Sequence, residues 1–213
     1  MMKKKILTIL SSLVIVAFSN AQGLSFKDKN FEKAVIENFD TNKDRKIDQS
    51  EADNVQNLFL TGKNIESVED LVHFKNAKMV LMDSNMILFI ELKNLKALEL
   101  FSCTNCKAVA FKAENLPSLT SLYLDNNKII NASFKDLPKI KQLTIPFNQL
   151  KAIDTSLLTT LQDLNIEHNQ VQKLDISKNN KLQSLNVKGN PLKETDLKKG
   201  TKTDITIFGF QQQ

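Results

Sequence analysis

The chain has 213 residues, of which 41% are hydrophobic, enough for one substantial core in one or two domains. The 29 basic and 24 acidic residues give a net charge of +5, but three lysines at positions 3–5 carry most of the excess, and without them 26 basic residues face 24 acidic ones. This near-neutral balance, without a basic stripe interleaved with aromatic residues, argues against nucleic acid as a partner.

Residues 1–21 have the three parts of a secretory signal peptide. A basic start at residues 3–5 precedes an apolar stretch at residues 6–18, and the small residues at 19–21 fit a cleavage site. The apolar stretch is too short for a membrane span, and no stop-transfer pattern follows it. We therefore expect an exported protein, periplasmic or extracellular, that begins at Gln22 and is not a transmembrane protein after cleavage.

Residues 22–54 are predicted to form a helical cap. Phe31, Val35 and Phe39 recur at helical spacing, and Asn30 precedes them at a fitting N-cap position. The helix leads into an acidic loop. A cap of this kind would cover the open end of the domain predicted for residues 55–213.

The acidic loop at residues 40–51 has the spacing of an EF-hand calcium loop. Oxygen-bearing side chains fall at loop positions 1, 3, 5, 9 and 12, and the residue at position 7 would supply its backbone carbonyl. The predicted ligands of one Ca²⁺ are Asp40, Asn42, Asp44, Lys46, Asp48 and Glu51. Position 6, where the sharp turn favours glycine, is Arg45, which we expect to be strained by about 1–2 kcal/mol. Two interpretations stay open: a calcium site of reduced affinity that braces the cap, or a loop that binds no ion and is held by side-chain capping.

A 21-residue repeat dominates the rest of the chain. The segments LYLDNNKI (122–129), LTIPFNQL (143–150), LNIEHNQV (164–171) and LNVKGNPL (185–192) each follow another apolar residue by three positions. The pattern L-x-x-L-x-L-x-x-N-x-L is the signature of the leucine-rich repeat. Its positions 1, 4, 6 and 11 face the core, and the asparagine at position 9 pairs with buried backbone groups where the chain leaves the strand.

The coils before residue 119 follow the pattern less regularly. Val55, Leu58, Leu60 and Ile65 fit positions 1, 4, 6 and 11 of the first coil. In the third coil, the best local match places Leu95, Leu98 and Leu100 at positions 1, 4 and 6, with Cys103 at the asparagine position. In this alignment the second coil, from Ala77 to Leu95, is shorter than the regular repeat, and the third, from Leu95 to Leu119, is longer by the same amount, which indicates an indel within the pair.

The predicted fold is therefore an α/β solenoid of about seven 21-residue coils. Its strands form a parallel β-sheet on the concave face, its return paths are short 3₁₀ or irregular turns, and its N-terminal cap is helical and EF-hand-like. Ile205, Ile207, Phe208 and Phe210 predict a last strand, which either caps the far end or offers its open edge to a partner.

The order of segments resembles a bacterial family. A secretory signal, an EF-hand-like helix and loop, and short leucine-rich coils with an LDIS segment at residues 174–177 resemble the secreted leucine-rich repeat proteins of Bacteroidetes-type bacteria. The resemblance covers nearly the whole mature chain. It implies a bacterial, exported, non-catalytic binding protein.

Catalytic chemistry finds little support in the sequence. Cys103 and Cys106 could form a disulfide or fill the core, whereas a redox site needs a βαβ context and zinc needs a second pair of ligands. The Glu167-His168 pair fits polar surface better than an acid–base pair. No nucleophile elbow, phosphate loop or histidine-based metal motif occurs. We therefore expect no enzymatic activity.

The concave face is the predicted binding surface. In our alignment, position 5 reads Phe59, Leu81, Glu99, Tyr123, Thr144, Asn165 and Asn186, so three of its first four residues are apolar or aromatic. With neighbouring columns, the candidate binding residues are Phe59, Met79, Leu81, Phe101, Tyr123 and Phe147. Exposed aromatic residues on rigid strands are typical of binding hot spots, although side chains at positions 7 and 8 could fold over the sheet instead.

The sequence thus predicts an exported module that holds a protein or peptide partner on its concave face. The alternative is a calcium-braced structural or adhesive component of the cell envelope, in which the ion-braced cap and the open carboxy-terminal edge would promote self-association. The patterns identify neither the partner nor the oligomeric state.

Overall fold

The computed structural model describes residues 22–201 and 204–210, so the predicted signal peptide lies outside the described residues. The helices are α1 (Lys29–Phe39) and α2 (Gln49–Asn54), with 3₁₀ turns at Glu69–His73 and Glu194–Asp196. In chain order the strands are β1 (Asn57–Phe59), β2 (Met79–Leu81), β3 (Phe89–Lys93), β4 (Leu100–Ser102), β5 (Ala110–Glu114), β6 (Ser121–Tyr123), β7 (Asn131–Lys135), β8 (Gln142–Thr144), β9 (Asp163–Asn165), β10 (Leu174–Asp175), β11 (Ser184–Asn186), β12 (Leu197–Lys198) and β13 (Thr206–Phe208).

One strand from each coil enters an eight-stranded parallel sheet, which we call the front sheet. Its order is β1-β2-β4-β6-β8-β9-β11-β13, so neighbours in the sheet are successive coils of the chain. The front-sheet strands from β2 to β11 begin at a constant interval along the chain, which equals the sequence repeat. The predicted seven-coil parallel solenoid with a last strand is therefore confirmed.

The register of the third coil differs from the alignment made on sequence. Phe101 pairs with Val80 on one side and Leu122 on the other, so it occupies position 4. Leu98 then lies at position 1, and the regular repeat continues without an indel. The sequence alignment was wrong because Leu95, Leu98 and Leu100 have the same spacing as positions 1, 4 and 6. The register is instead determined by the pairing of β4 with the strands on both sides.

The asparagines at position 9 form the predicted hydrogen-bonded ladder. Asn169 Oδ1 accepts from the backbone N–H of Leu150 at 3.0 Å, and its Nδ2 donates to the carbonyls of Ile145 and Ile166 at 2.9 and 3.0 Å. Each side chain thus joins its own coil to the one before it. The same arrangement recurs at Asn85, Asn127, Asn148 and Asn190.

Cys103 and Cys106 form a disulfide bond in the third coil. With the corrected register they occupy positions 6 and 9, and both are fully buried. Cys106 thus stands where other coils have asparagine. The neighbouring coil compensates, because Asn127 accepts from the N–H of Cys106 and donates to the carbonyl of Cys103. The pairing favours a structural role for the two cysteines.

Strands β3, β5 and β7 form a second parallel sheet, the back sheet, on the return paths of three coils. Only 3₁₀ or irregular turns were predicted there, which is wrong for these three coils, although a 3₁₀ turn does occur in the first coil, at Glu69–His73. The strands alternate between buried and exposed residues, as in β3, where Ile90 and Leu92 are buried and Glu91 and Lys93 are exposed. This is the period of two residues expected of a β-strand with one face against the core. Phe111 and Phe134 are buried beneath this sheet with ring centroids 5.9 Å apart, as expected of core residues.

The N-terminal helices close one end of the core. Helix α1 begins after Asp28 rather than Asn30, because the Asp28 carboxylate accepts from the N–H groups of Asn30 and Phe31. The other oxygen of Asp28 accepts from the N–H groups of Glu66 and Ser67, which ties the helix to the first coil. None of the helices in the described ranges is long and apolar enough to cross a membrane.

Candidate functional site

The exposed surface of the front sheet carries a strip of apolar side chains across its first four strands. Phe59 is 55% exposed, and Met79, Leu81 and Tyr123 are partly exposed. Leu100, which the sequence analysis placed in the core, is also partly exposed and belongs to this strip. We call Phe59, Met79, Leu81, Leu100 and Tyr123 the apolar strip.

Phe101 does not belong to the strip. Its side chain is fully buried, so the prediction that it contributes to a binding surface was wrong. The cause is the shifted register of the third coil, since residues at position 4 point into the core and those at positions 3 and 5 point out. Ser102, not Glu99, lies at position 5 of this coil.

Phe147 lies at the rim of the sheet rather than on the strip. It is 48% exposed, and its ring stacks on that of His168, with centroids 4.7 Å apart and an interplanar angle of 16°. Both residues have left-handed backbone, with φ of 52° and 50°. The repeat imposes this conformation at position 8 of every coil, at Gly62, Ser84, Asn105, Asn126, Phe147, His168 and Gly189. The rim stack is therefore a consequence of the repeat.

The second half of the front sheet is polar. Side chains of Gln142, Thr144, Asn165, Ser184 and Asn186 line a shallow depression of about 290 Å³ together with Phe208 of the last strand. Phe208 is 53% exposed and was not among the predicted binding residues. It lies on the edge strand β13, so its exposure was visible only once that strand was placed in the sheet.

Three acidic residues follow the strands at position 7 of alternate coils. Asp83 accepts from the Ser102 hydroxyl at 2.5 Å, and Asp125 accepts from the Thr144 hydroxyl at 2.6 Å. Glu167 accepts from the Asn186 side-chain amide at 3.0 Å. In each case the donor is at position 5 of the next coil, so the carboxylates are oriented along the edge of the sheet. We call Asp83, Asp125 and Glu167 the acidic row.

The acidic row is partly desolvated. Burial raises the pKa of Asp125 above its ordinary value, against the opposing effect of the Thr144 hydroxyl bond, and the negative charge of Asp83 adds to the increase. The two carboxylates therefore interact electrostatically across the coil that separates them.

The predicted calcium loop lies between α1 and α2. Its side chains bind backbone N–H groups within the loop: Asp40 accepts from Asp44 and Arg45, Asn42 from Asp44, and Asp44 from Lys46. Arg45 has φ of 66°, which confirms the left-handed turn expected at this position. Among residues 22–201 and 204–210, no three His, Cys, Asp or Glu side chains are gathered so as to hold a metal ion.

Glu51 anchors the end of this loop. It is buried and accepts from the N–H and hydroxyl of Thr41 and from the N–H of Asp48, its capping-box partner. Burial acts to raise the pKa of Glu51, but the hydrogen bonds from Asp48 and Thr41 outweigh it, so the pKa lies below its ordinary value.

One of the comparisons with known proteins bears on this architecture. No protein-family model and no curated protein matches the sequence. The chain is similar to a chain in the crystal structure of the LRIM1/APL1C complex, with a TM-score of 0.55 and 20% sequence identity over 67% of this chain and 31% of that one. An internalin (inlF) from Listeria monocytogenes is matched over 80% of this chain and 85% of that chain, at 14% identity and a TM-score of 0.30.

The first likeness, added to the repeat and the parallel coils, decides the architecture. The fold is a leucine-rich repeat solenoid. This chain spans about a third of its neighbour in the LRIM1/APL1C complex (31%), so the likeness concerns the repeated coils. At such low sequence identity it bears on the fold of the solenoid alone.

Proposed function

We propose that this solenoid is an exported, non-catalytic module that holds a protein or peptide partner on the exposed face of its front sheet. The observation that supports this proposal is the apolar strip. Phe59 is 55% exposed, and four further apolar residues lie beside it on neighbouring strands. Contiguous exposed apolar side chains on a soluble fold mark interaction surfaces, and rigid strands hold them without an ordering cost. Export is proposed from the signal-like pattern of residues 1–21.

The partner would contact Tyr123, which lies near the middle of the front sheet, most closely. Tyr123 has an apolar ring and a hydroxyl that donates to Gln142 Oε1 at 2.9 Å, so its orientation is fixed before binding. Residues of this kind, surrounded by polar neighbours that exclude water, carry most of the binding energy in protein interfaces. The polar half of the sheet would then supply specificity through hydrogen bonds.

Replacing Phe59, Leu81 and Tyr123 with serine is expected to reduce capture of a partner from cell-surface extract at least tenfold. The thermal midpoint should fall by only a few degrees, because these side chains project from the sheet instead of packing beneath it. Captured proteins would be identified and quantified by mass spectrometry after cross-linking to immobilised protein. The matched control replaces Leu88, Phe89 and Ile130, which are 51%, 68% and 52% exposed on the opposite side of the solenoid.

Two outcomes would contradict the proposal. Capture that survives in the Phe59/Leu81/Tyr123 variant but is lost in the Leu88/Phe89/Ile130 control would place the binding surface on the back. A collapse of thermal stability in the first variant would mean that the strip is part of the core.

The second candidate function is a calcium-braced structural or adhesive component of the cell envelope, for which the loop at residues 40–51 is the motivating feature. Its potential ligands are all oxygen atoms, which suit Ca²⁺. A carboxylate that accepts hydrogen bonds from loop N–H groups still has lone pairs with which it could coordinate the ion. To hold the ion, Asp40, Asn42, Asp44, Asp48 and Glu51 would have to converge on it from their hydrogen bonds within the loop, with the Lys46 carbonyl as a further ligand. The ion would supply positive charge that fixes the loop against α1 and α2.

Replacing Arg45 separates charge from backbone strain in this loop. The left-handed φ of 66° at Arg45 goes with hydrogen bonds within the loop, such as that from its N–H to Asp40, so we expect the substitutions to act on calcium affinity through charge. Arg45→Ala and Arg45→Gly are therefore both expected to tighten calcium binding about three- to tenfold by removing a nearby positive charge. Without calcium, the free energy of unfolding should be about 1 kcal/mol higher for Arg45→Gly than for Arg45→Ala, because glycine adopts the left-handed conformation without strain. Calorimetric titration and urea unfolding would measure the two effects.

Asp40→Ala is the matched negative control for the titration and should abolish the heat of binding. If wild type and both Arg45 variants give no heat, the loop is no calcium site. The envelope hypothesis further predicts that calcium shifts the oligomer distribution in sedimentation, and an unchanged monomer with and without chelator would reject it.

A further inference from the structure

The outward-facing columns of the front sheet are acidic although the chain beyond residue 21 is nearly neutral. Between residues 57 and 188, the charged side chains at positions 3, 5 and 7 are Asp83, Asp125, Asp163, Glu167 and Lys188. The lysine pairs with Glu167, with its Nζ 3.7 Å from Oε1, so the net negative charge of these columns comes from Asp83, Asp125 and Asp163. Lysines lie mainly on other surfaces, as on the back sheet, where Lys93, Lys112 and Lys135 pair with glutamates. A partner on this face would meet negative charge.

The acidic row is regularly spaced. Asp83, Asp125 and Glu167 each follow a strand of every second coil, so equal lengths of chain separate them. Adjacent strands of a sheet are about 4.8 Å apart, so successive carboxylates are about 9–10 Å apart along the solenoid axis. Because each is held by a hydrogen bond from the next coil, this spacing is built into the surface before any partner arrives.

A polyproline II helix matches that spacing. It has three residues per turn and rises about 3.1 Å per residue, so every third side chain points the same way at intervals of about 9.3 Å. A β-strand places same-face side chains about 6.6 or 13 Å apart, which does not match. The apolar strip lies beside the end of the acidic row that contains Asp83 and Asp125, and aromatic surfaces such as those of Phe59 and Tyr123 are what polyproline II ligands dock against.

We propose that the partner held on the front sheet is a cationic polypeptide segment in polyproline II conformation, lying along the solenoid axis with one basic side chain per turn. Successive lysine or arginine side chains reach Asp83, Asp125 and Glu167, and the intervening apolar residues pack on the apolar strip. This inference rests on the proposed function and adds the chemical class of the ligand. It also accounts for like charges held in one row and partly buried, because a cation bound at each carboxylate offsets their mutual repulsion.

The test compares two synthetic peptides of equal composition. One has four Lys-Pro-Pro repeats, and the other has its four lysines grouped at one end of the same prolines. Fluorescence anisotropy with the chain from Gln22 to Gln213 is expected to give a Kd at least tenfold lower for the spaced peptide. Binding should weaken as salt is raised from about 20 to about 200 mM, since the contacts are charge pairs at an exposed surface.

Two triple variants locate the contact. Asp83→Asn, Asp125→Asn and Glu167→Gln together keep the hydrogen-bond acceptors but remove the charge, and should raise the Kd of the spaced peptide at least tenfold and abolish its advantage. The matched control, Glu66→Gln, Glu91→Gln and Glu194→Gln, removes equal charge from exposed positions outside the acidic row. Its Kd should change less than twofold.

Equal affinity for the two peptides, or a Kd unaffected by neutralising the acidic row, would overturn the proposal. So would a failure of both peptides to bind wild type. If both peptides fail while extract capture is still lost on replacing Phe59, Leu81 and Tyr123, the binding function stands and only the ligand class is wrong. If the strip variant also captures normally, the binding function itself is rejected. Should the acidic-row variant fail to fold, the comparison of spaced and grouped peptides on wild type still decides the spacing.

Discussion

Asn169→Ala is expected to lower the free energy of unfolding by about 3 kcal/mol. The substitution removes the acceptor for the buried N–H of Leu150 and the donor to the carbonyls of Ile145 and Ile166. A lost hydrogen bond costs about 1 kcal/mol, and a buried donor left without a partner costs about 1–3 kcal/mol. The carbonyls keep second partners, because Asn148 and Asn190 also donate to them. Urea unfolding followed by circular dichroism would measure the change.

Two further variants separate the role of position 9 from a general effect of losing asparagine. Asn180→Ala changes an exposed turn residue and should alter stability by less than about 0.5 kcal/mol. Asn169→Asp keeps the acceptor but directs a carboxylate at backbone carbonyls, so at neutral pH it should be at least as destabilising as alanine. A loss below about 1 kcal/mol for Asn169→Ala would show that the asparagine ladder contributes little to the fold.

Phe101→Ala is expected to lower the free energy of unfolding by about 3–5 kcal/mol, whereas Leu100→Ala should cost less than about 1.5 kcal/mol. Phe101 is fully buried at position 4 of the third coil, and truncation leaves a cavity that close-packed neighbours cannot fill. Leu100 is partly exposed on the front sheet, so its truncation removes little buried surface. The alignment made on sequence predicts the opposite ranking.

The comparison within this adjacent pair controls for strand position and for the nearby disulfide. Thermal unfolding and urea unfolding of the two variants would rank them. A larger loss for Leu100→Ala would restore the sequence-based register and remove Leu100 from the apolar strip.

The sequence by itself was sufficient for the repeat and most of the core. From Leu119 onward every predicted inward position of the four regular coils is buried, as at Leu122, Leu143 and Leu164. The hydrogen bonds from the position-9 asparagines to buried backbone groups were also predicted correctly. These features are local and periodic: a side chain's burial follows from its place in the repeated pattern, whichever coil lies beside it.

Tertiary structure alone decided the register of the third coil. Two sets of residues match the pattern equally well: Leu95, Leu98 and Leu100, or Leu98, Phe101 and Cys103. The spacing of apolar residues does not show which residues pair with the neighbouring strands. Hydrogen bonding to β2 on one side and β6 on the other permits only one alignment. The exposed residues of the candidate site changed with it, since a shift of an odd number of residues exchanges the two faces of a strand.

The back sheet and the acidic row were likewise beyond the sequence analysis. The strands of the back sheet alternate in burial, but their pairing partners lie in other coils and stabilise them only after the coils stack. Asp83, Asp125 and Glu167 are distant in the chain and form one edge only because alternate coils are superposed. Local pattern determined which side chains point inward, and the lateral pairing of coils determined which outward side chains are neighbours.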